Sequence, residues 1–432
     1  MKLDQLFPIY KVEHDLILSR QGDMTMAFDV DLPELFSLSG VGFEALHAAW
    51  SKAVGVLAGN TVLHKQDWFV DRSFRGEFAD KSHSFHSMAS ERFFTGRAHL
   101  DHHCRLFITK RPKGSKLGSS ALSNLLRKSP VPIELLESET LEEFQNVTGQ
   151  LVQILIDAGI GLRQLSGSEI TGGVDTVGIV EEYLNLGTAG VLQDIQFTPE
   201  WKIGSKYVQL FTLGDVEELP SAVSPHATYE PYGTDQTNFP IGFSTPVCAL
   251  LPCNHIYNQF LFIEDSQKKL KELESKRQRL ESLANYSREN AIARDATAEF
   301  LNEAISMGRK AVKAHFNVMT WTDRRKDVGQ LRNLTAGALA KMNAVPKQET
   351  VGAPQIFWAG LPGNQAAFPV NETFDTFVAQ ATCFFNVETQ YRTSTSPIGI
   401  RLGDRITGYP IHVDISDEPM KQGLITNRNK FV

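Results

Sequence analysis

Metal sites and acid–base pairs are built from histidine, cysteine and carboxylate side chains. The densest run of these is Asp101-His102-His103-Cys104. Asp101, His102 and His103 are the ligand types a metal-dependent hydrolase would use. Adjacent side chains in a strand point to opposite faces, however, so the run converges on one ion only with help from other segments. Cys248 and Cys253 are separated by four residues around Pro252, with no second pair downstream, and His83 and His86 lie in a polar, Ser-rich stretch. Neither pair completes a zinc pattern. Glu142-Glu143 and Glu217-Glu218 sit where helix caps and solvated faces account for them, and His255, beside Asn254, lacks a nucleophile partner. The sequence contains no G-x-S-x-G, H-E-x-x-H, C-x-x-C or G-x-G-x-x-G pattern, and no G-x-x-x-x-G-K-[ST] phosphate loop.

The elements that must position these residues belong to a large α+β chain. Its 432 residues suit two to four domains, and 42% apolar with 22% charged residues is a globular composition. The 43 basic residues are outnumbered by 50 acidic ones, for a net charge of −7, which argues against a dedicated nucleic-acid surface. Four cysteines make no disulfide framework in a chain of this size. The N-terminus has no apolar core of signal-peptide length, and no run of about 18 apolar residues occurs. A cytoplasmic protein is expected, with peripheral attachment to a membrane complex left open.

Residues 1–166 read as βαββαβ. Met24–Leu32 alternates up to Pro33, Phe43 to Leu57 has helical spacing after Ser39-Gly40, and Thr61–Val70 and Arg105–Thr109 are strand-like. Thr140-Leu141-Glu142-Glu143 forms a capping box before the stripe Phe144, Val147, Leu151, Ile154, Ala158, and Ile160–Leu165 follows as a strand. This order predicts a ferredoxin-like unit. The basic, Gly/Ser-rich stretch Lys110–Pro132 reads as a solvated loop, with contact to acidic lipid or a partner as the alternative.

A second α+β domain is expected over 167–375. A helix is predicted over Glu169–Leu186, strands at Tyr207–Phe211, His255–Ile263 and Phe316–Trp321, a helix over Lys326–Asn343 and a turn at Pro362-Gly363-Asn364. The order suggests another βαββαβ-like unit with a long helical hairpin inserted over 264–313. In that hairpin Leu270, Leu273, Leu280 and Leu283 lie on one face, Ser287 is an N-cap, and Ala293 to Ala311 form a second stripe. The first helix carries more charge than its narrow apolar face explains, so Lys268, Lys269 and Lys271 are taken as candidate partner-docking residues, against self-packing with a solvated outer face. Residues 376–432 read as a further unit, incomplete, whose last segment, Leu424–Val432, looks like a strand.

Several segments resemble the TraG family of conjugation ATPases of Bacteroides-type conjugative transposons, within the type IV secretion ATPase class. They are Leu251-Pro252-Cys253-Asn254-His255-Ile256-Tyr257-Asn258-Gln259, Ala314–Val318, and the terminal stretch from Phe384–Thr389 through Asp404–Pro410 and Asp417–Met420 to Asn427–Val432. Asp29–Glu34 and His64–Asp67 are looser matches. The resemblance implies that Asn429, Lys430, Phe431 and Val432 form the strand leading to a P-loop, and that the block from about Phe384 opens a RecA/FtsK-like motor domain. It implies ATP and magnesium in the full-length protein, no cofactor and no hydrolysis in these residues, and a docking and oligomerisation role for the N-terminal part. It further implies inner-membrane subunits of the conjugation channel as partners, self-association, and a cytoplasmic, peripheral location at the inner membrane. A metal-dependent hydrolase and a single-strand DNA-contacting module are the competing readings. Metal content would test the first, and a steep salt dependence of binding the second.

Overall fold

The computed structural model describes residues 7–76, 85–112, 138–173, 176–187, 191–234, 237–394, 396 and 399–429. Residues 113–132 of the Lys110–Pro132 loop, His83, and Lys430, Phe431 and Val432 lie outside the described residues.

The chain opens with a hairpin, β1 (Ile9–Glu13) and β2 (Leu16–Ser19), closed by His14 and Asp15, both at positive φ (51° and 60°). A two-residue turn of that hand matches the right-handed twist of the strands. Strand β3 (Met24–Asp31) follows, then helix α1 (Gly40–Gly55). The Ser39 hydroxyl accepts the Gly42 amide at 3.2 Å as its N-cap, and Phe43, Leu46, Trp50 and Ala53 form its buried face. Long strand β4 (Thr61–Ser73), helix α2 (Phe85–Phe94) and strand β5 (Ala98–Lys110) lead to helix α3 (Ser138–Asp157) and strand β6 (Gly161–Gln164). Thr140 therefore lies inside α3 rather than at its cap.

The helix expected over Glu169–Leu186 is broken into α4 (Gly167–Thr171) and α5 (Ile179–Leu184). Gly172, at φ 81°, ends α4 in a conformation that L side chains resist. Short strands β7 (Ile195–Gln196) and β8 (Lys202–Ile203) precede β9 (Lys206–Leu213), and an irregular connection containing the pair β10 (His226–Thr228) and β11 (Pro240–Gly242) leads to β12 (His255–Ile263). The predicted hairpin is α6 (Ser266–Leu283) and α7 (Arg288–Ser306), capped at Ser287. After it come β13 (Ala311–Thr322), helix α8 (Val328–Lys341), β14 (Lys347–Glu349), helix α9 (Ala353–Gly360), β15 (Phe374–Phe377) and helix α10 (Val378–Cys383). A separate two-stranded pair, β16 (Ile400–Gly403) and β17 (Pro410–Val413), and helix α11 (Asp417–Lys421) complete the described elements.

The dominant layer is one large antiparallel sheet in the order β1-β2-β3-β5-β4-β12-β13-β9-β8-β7, with β6 on β3, β14 on β9 and β15 on β13. Two runs within it have matching orders. The first is β6-β3-β5-β4, and the second is β14-β9-β13-β12. They meet through β4 and β12, where Lys65 lies opposite Gln259 and Gln66 opposite Asn258. The sheet thus runs without a break across residue 166. One face carries α1, α3, α8 and α10 over a core that includes Trp50, Leu151, Phe316 and Leu339. The other carries α5 and α9 over Trp68, Phe260, Phe262 and Phe357. Every residue of β12 is buried, as a strand covered on both faces must be.

Two expectations at the C-terminal end are corrected. The segment from Phe384 does not open with a strand of a separate layer. Cys383 ends α10, and Phe384, Phe385 and Val387 pack into the core under the main sheet. Apolar residues in a run of three can fill an existing core as well as start a new one, and here the core beside Trp50 and Phe316 takes them. Nor is there a strand over the described part of Leu424–Val432, because Leu424–Asn429 runs as bends and coil.

Candidate functional site

The most concentrated polar chemistry is buried at the join of the two half-sheets. Lys65 and Asp67, two apart on β4, share one face, and their side chains are both fully buried with Nζ 2.5 Å from Oδ2. Asp67 accepts three further hydrogen bonds. They come from Gln259 Nε2 on β12 (2.6 Å), Asn386 Nδ2 (2.8 Å) and His102 Nε2 on β5 (3.1 Å). Burial alone would push the Asp67 carboxyl up, but Lys65 and His102 outweigh it and hold the group well below the usual carboxylate range. Burial likewise works against the Lys65 charge, and Asp67 more than offsets it. A buried pair of this kind is costly to desolvate and survives only with its lone pairs filled, as they are here.

The cluster grips one segment in particular, Phe384–Gln390. Asn386 donates its side-chain amide to Asp67 and its backbone N–H to Gln259 Oε1 at 2.9 Å. His102 Nδ1 lies 2.6 Å from Thr389 Oγ1. Thr389 and residues 33–35 exchange backbone hydrogen bonds of 2.8 Å each way, and Tyr257 donates its hydroxyl to the Phe384 carbonyl at 2.9 Å. Glu388 is wholly buried and accepts from Gly242 N (2.8 Å) and Thr245 Oγ1 (2.6 Å). Among the described residues no cation offsets its burial, which pushes it up to about 7. The segment is thus a strap, held to the sheet by hydrogen bonds at each end and by aromatic packing between.

Beyond the strap, β16 and β17 lie against the N-terminal half. Arg401 of β16 pairs with Glu91 of α2 at 2.6 Å, both buried, and Leu100 N donates to the Thr407 carbonyl at 2.9 Å. An open cleft of about 510 Å³ lies beside this contact, lined by Asp71, His99, Asn254, Trp321, Asp327 and Arg405 among others.

On the opposite face of the sheet Asn258 links β12 to its neighbours. Its Oδ1 is 3.0 Å from both His64 Nε2 and Gln66 Nε2, and its Nδ2 donates to Asn317 Oδ1 at 2.8 Å. The Pro362-Gly363-Asn364 turn, with Gly363 at φ 87°, brings Gln365 against His64 and Thr109. A Cβ on Gly363 would collide with Ile17. Burial lowers His64 and His315 to about 3 and His255 to about 4, so these imidazoles are neutral at physiological pH.

Asp101, His102 and His103 are not brought together as a metal site. His102 turns to Asp67, His103 turns to the other face and stacks on Trp68 with centroids 5.5 Å apart, and Asp101 pairs with Arg72 at 3.2 Å. Among the described residues no group of three or more His, Cys, Asp or Glu is placed to hold a metal ion. Nor is there an activated thiol. Cys383 lies 3.4 Å from His47 Nε2, but burial pushes it up to about 12, as it does Cys253, and burial also raises Cys104 and Cys248 well above the usual thiol range.

The three lysines chosen on α6 divide. Lys268 and Lys271 are exposed, but Lys269 is buried, with Nζ 2.6 Å from Asp375 and 3.4 Å from Glu264. It fastens the hairpin to β15, so Lys269 is a structural residue and not a docking one. Helix α2 turns Glu91 and Phe94 inward, while Phe85 (76% exposed), Met88 (42%) and Phe93 (56%) face outward beside Arg92 and Arg97. Among the described residues no helix is long and apolar enough to cross a membrane.

Sequence reasoning missed Asp67, Gln259 and Asn386 as a constellation, since they lie up to 319 positions apart, and Glu388 with them. The signal available was polar residues interrupting otherwise apolar strands: Lys65 and Asp67 in β4, Asn258 and Gln259 in β12.

Residues 399–432 match the family model of the TraG P-loop domain. Residues 1–48 match a domain of unknown function described from B. Theta, DUF3875. No curated protein matches the chain.

Proposed function

We propose that this chain, a TraG-type conjugation protein by its two matched ends, is the docking and assembly platform on which the motor of a conjugative-transfer ATPase is carried. The observation that carries the reading is the strap. Phe384–Gln390 is locked into the main sheet by Asp67, His102 and Gln259, and it stands just before the residues that match the P-loop domain. Force or rotation in a domain continuing from β16 would reach the sheet through that strap and through the Arg401–Glu91 and Leu100–Thr407 contacts. The β16–β17 pair is then read as the first strands of a RecA/FtsK-like motor domain.

Nucleotide chemistry is assigned to the P-loop domain beyond these residues, because the 432 residues contain no loop of backbone amides and lysine to wrap phosphates. ATP and magnesium would therefore act in the full-length protein. The matching strand orders of the two half-sheets support reading each as a ferredoxin-like βαββαβ unit, with the α6–α7 hairpin inserted in the second. That hairpin makes its main packing contacts within itself, apart from a base held by Lys269, Leu270 and Phe300. It is an arm, and inner-membrane subunits of the conjugation channel are the partners proposed for the platform. The outward apolar and arginine face of α2 supports a cytoplasmic protein attached peripherally to the inner membrane. The net charge of −7 speaks against a nucleic-acid role for these residues.

The test compares ATP binding and turnover by residues 1–432 with those of a chain continuing through the whole P-loop domain. Only the longer chain should hydrolyse ATP. Turnover by residues 1–432 alone would reject the platform reading.

A further inference from the structure

The α6–α7 arm carries opposite charge on its two outer edges. The cations of α6 that form ion pairs are Lys269, with Glu264 and Asp375, and Arg277, with Glu274 and Glu281 on its own helix. Lys268, Lys271, Lys276 and Arg279 are exposed and have no ion pair among the described residues; the only acid set among them is Glu272. Residues 268, 271, 275 and 279 follow helical spacing on the side away from the buried Leu273 and Leu280. On α7 the side away from the buried Thr297, Leu301 and Ala304 carries Asp295, Glu299 and Glu303, with Arg288 at the tip. Asp295 pairs only with its neighbour Arg294 and Glu303 with Arg309, while Glu299 has no ion pair among the described residues.

The two edges match in height. Arg294 reaches Glu281 across the hairpin at 3.5 Å. Both helices rise about 1.5 Å per residue in opposite directions. Lys276 therefore stands level with Glu299, Arg279 with Ala296 beside Asp295, and Glu272, next to Lys271, with Glu303. A second arm set beside the first in the same orientation would put its acidic edge against this basic edge, with Lys276 facing Glu299, Arg279 near Asp295, and Glu272 as the one acid level with Glu303.

We propose that copies of this chain join head to tail through the arm, the basic α6 edge of one copy against the acidic α7 edge of the next. This rests on reading the hairpin as a docking arm, and it names the occupant as a second copy. The two surfaces differ, so the contact is heterologous and repeats around a ring or along a filament. An acidic segment of another protein would use the basic edge but leave the acidic one without a role.

The experiment uses two double charge reversals, K276E/R279E and D295K/E299K, with mass measured by sedimentation in about 50 mM and 500 mM salt, a range over which exposed charges pass from weakly to strongly screened. The unaltered chain should associate at low salt and dissociate at high salt. Each variant alone should associate at least tenfold more weakly, with an unchanged melting temperature. An equimolar mixture of the two should recover association, because each reversed edge then meets a complementary one. A monomeric unaltered chain, variants that associate undiminished, or a mixture that fails to recover would each overturn the proposal. Binding of purified channel subunits by the same variants separates the two readings. If K276E/R279E loses such binding while the unaltered chain is a monomer, the docking arm stands and self-association falls.

Discussion

Asn386 donates its side-chain amide to Asp67 at 2.8 Å across 319 residues of sequence, and so ties the strap before the P-loop match to the middle strands of the sheet. Asp67 is also the only counter-ion within reach of the fully buried Lys65 amine among the described residues. One carboxylate therefore both neutralises a charge in the core and holds the exit of the chain.

Replacing Asp67 with Asn should leave Lys65 charged and unpaired, at a cost of about 3–5 kcal/mol. The double change K65M/D67L should cost less than D67N alone, because no charge is then buried. Asn386→Ala removes one hydrogen bond to a charged acceptor and should cost about 1.5–3 kcal/mol. Denaturant midpoints check all three, and a D67N variant as stable as the parent would show that the pair carries no such energy.

The same pair sets a sign for pH. The folded pKa of Asp67 is depressed, so its stabilisation is present above the unfolded value of about 4 and is lost as pH falls through the folded one. The Lys65 value is raised, so its share is present below about 10.4 and is lost as pH rises beyond. Unfolding followed from pH 2 to 5 should show a drop in stability on acidification that D67N lacks.

Glu388 works in the other direction. Its folded pKa is pushed up to about 7, so between about 4.3 and 7 the native state binds the proton more tightly than the unfolded chain does. Stability should fall across that window as pH rises, by on the order of 3 kcal/mol for this group. Glu388→Gln should flatten the slope whatever its own cost, and an unchanged slope would place the titration elsewhere.

Lys269 and Lys268 are neighbours with different burdens. Lys269→Ala removes the cation between Glu264 and Asp375 and should lower stability by about 1–3 kcal/mol. Lys268→Ala, on the solvent side, should change it by no more than about 0.5 kcal/mol. Thermal melting distinguishes them, and equal effects would mean that Lys269 does not anchor the arm.

If α2 meets the membrane, the chain should sediment with vesicles containing phosphatidylserine and not with neutral ones. Changing Met88 to Ser together with Arg92 to Glu should abolish that binding, since both lie on the outward face. Equal binding to neutral vesicles, or none to either, would remove this helix from the attachment.

What the sequence by itself determined is local. Helix α1 with its Ser39 cap, the α6–α7 hairpin broken before Ser287, and the strands around Val62, Phe260 and Val318 follow from periodicity and capping, which act over a few residues. The resemblance at the terminal stretch was legible in the same way, as a run of consecutive residues, and the match over 399–432 agrees with it. The strand orders, the β4–β12 join and the placement of Phe384 and Phe385 in the core beside Trp50 and Phe316 were decided only by tertiary structure. Pairing between strands nearly 200 residues apart leaves no periodic trace in either strand. The Asp67 cluster is the sharpest case. Lys65, His102, Gln259 and Asn386 look like ordinary polar residues in four separate segments, and only the shared burial of their side chains turns them into one charge and its partners. The fate of Lys269 was settled the same way, because periodicity placed it beside Lys268 and Lys271 while the approach of Asp375 from β15 drew it inward.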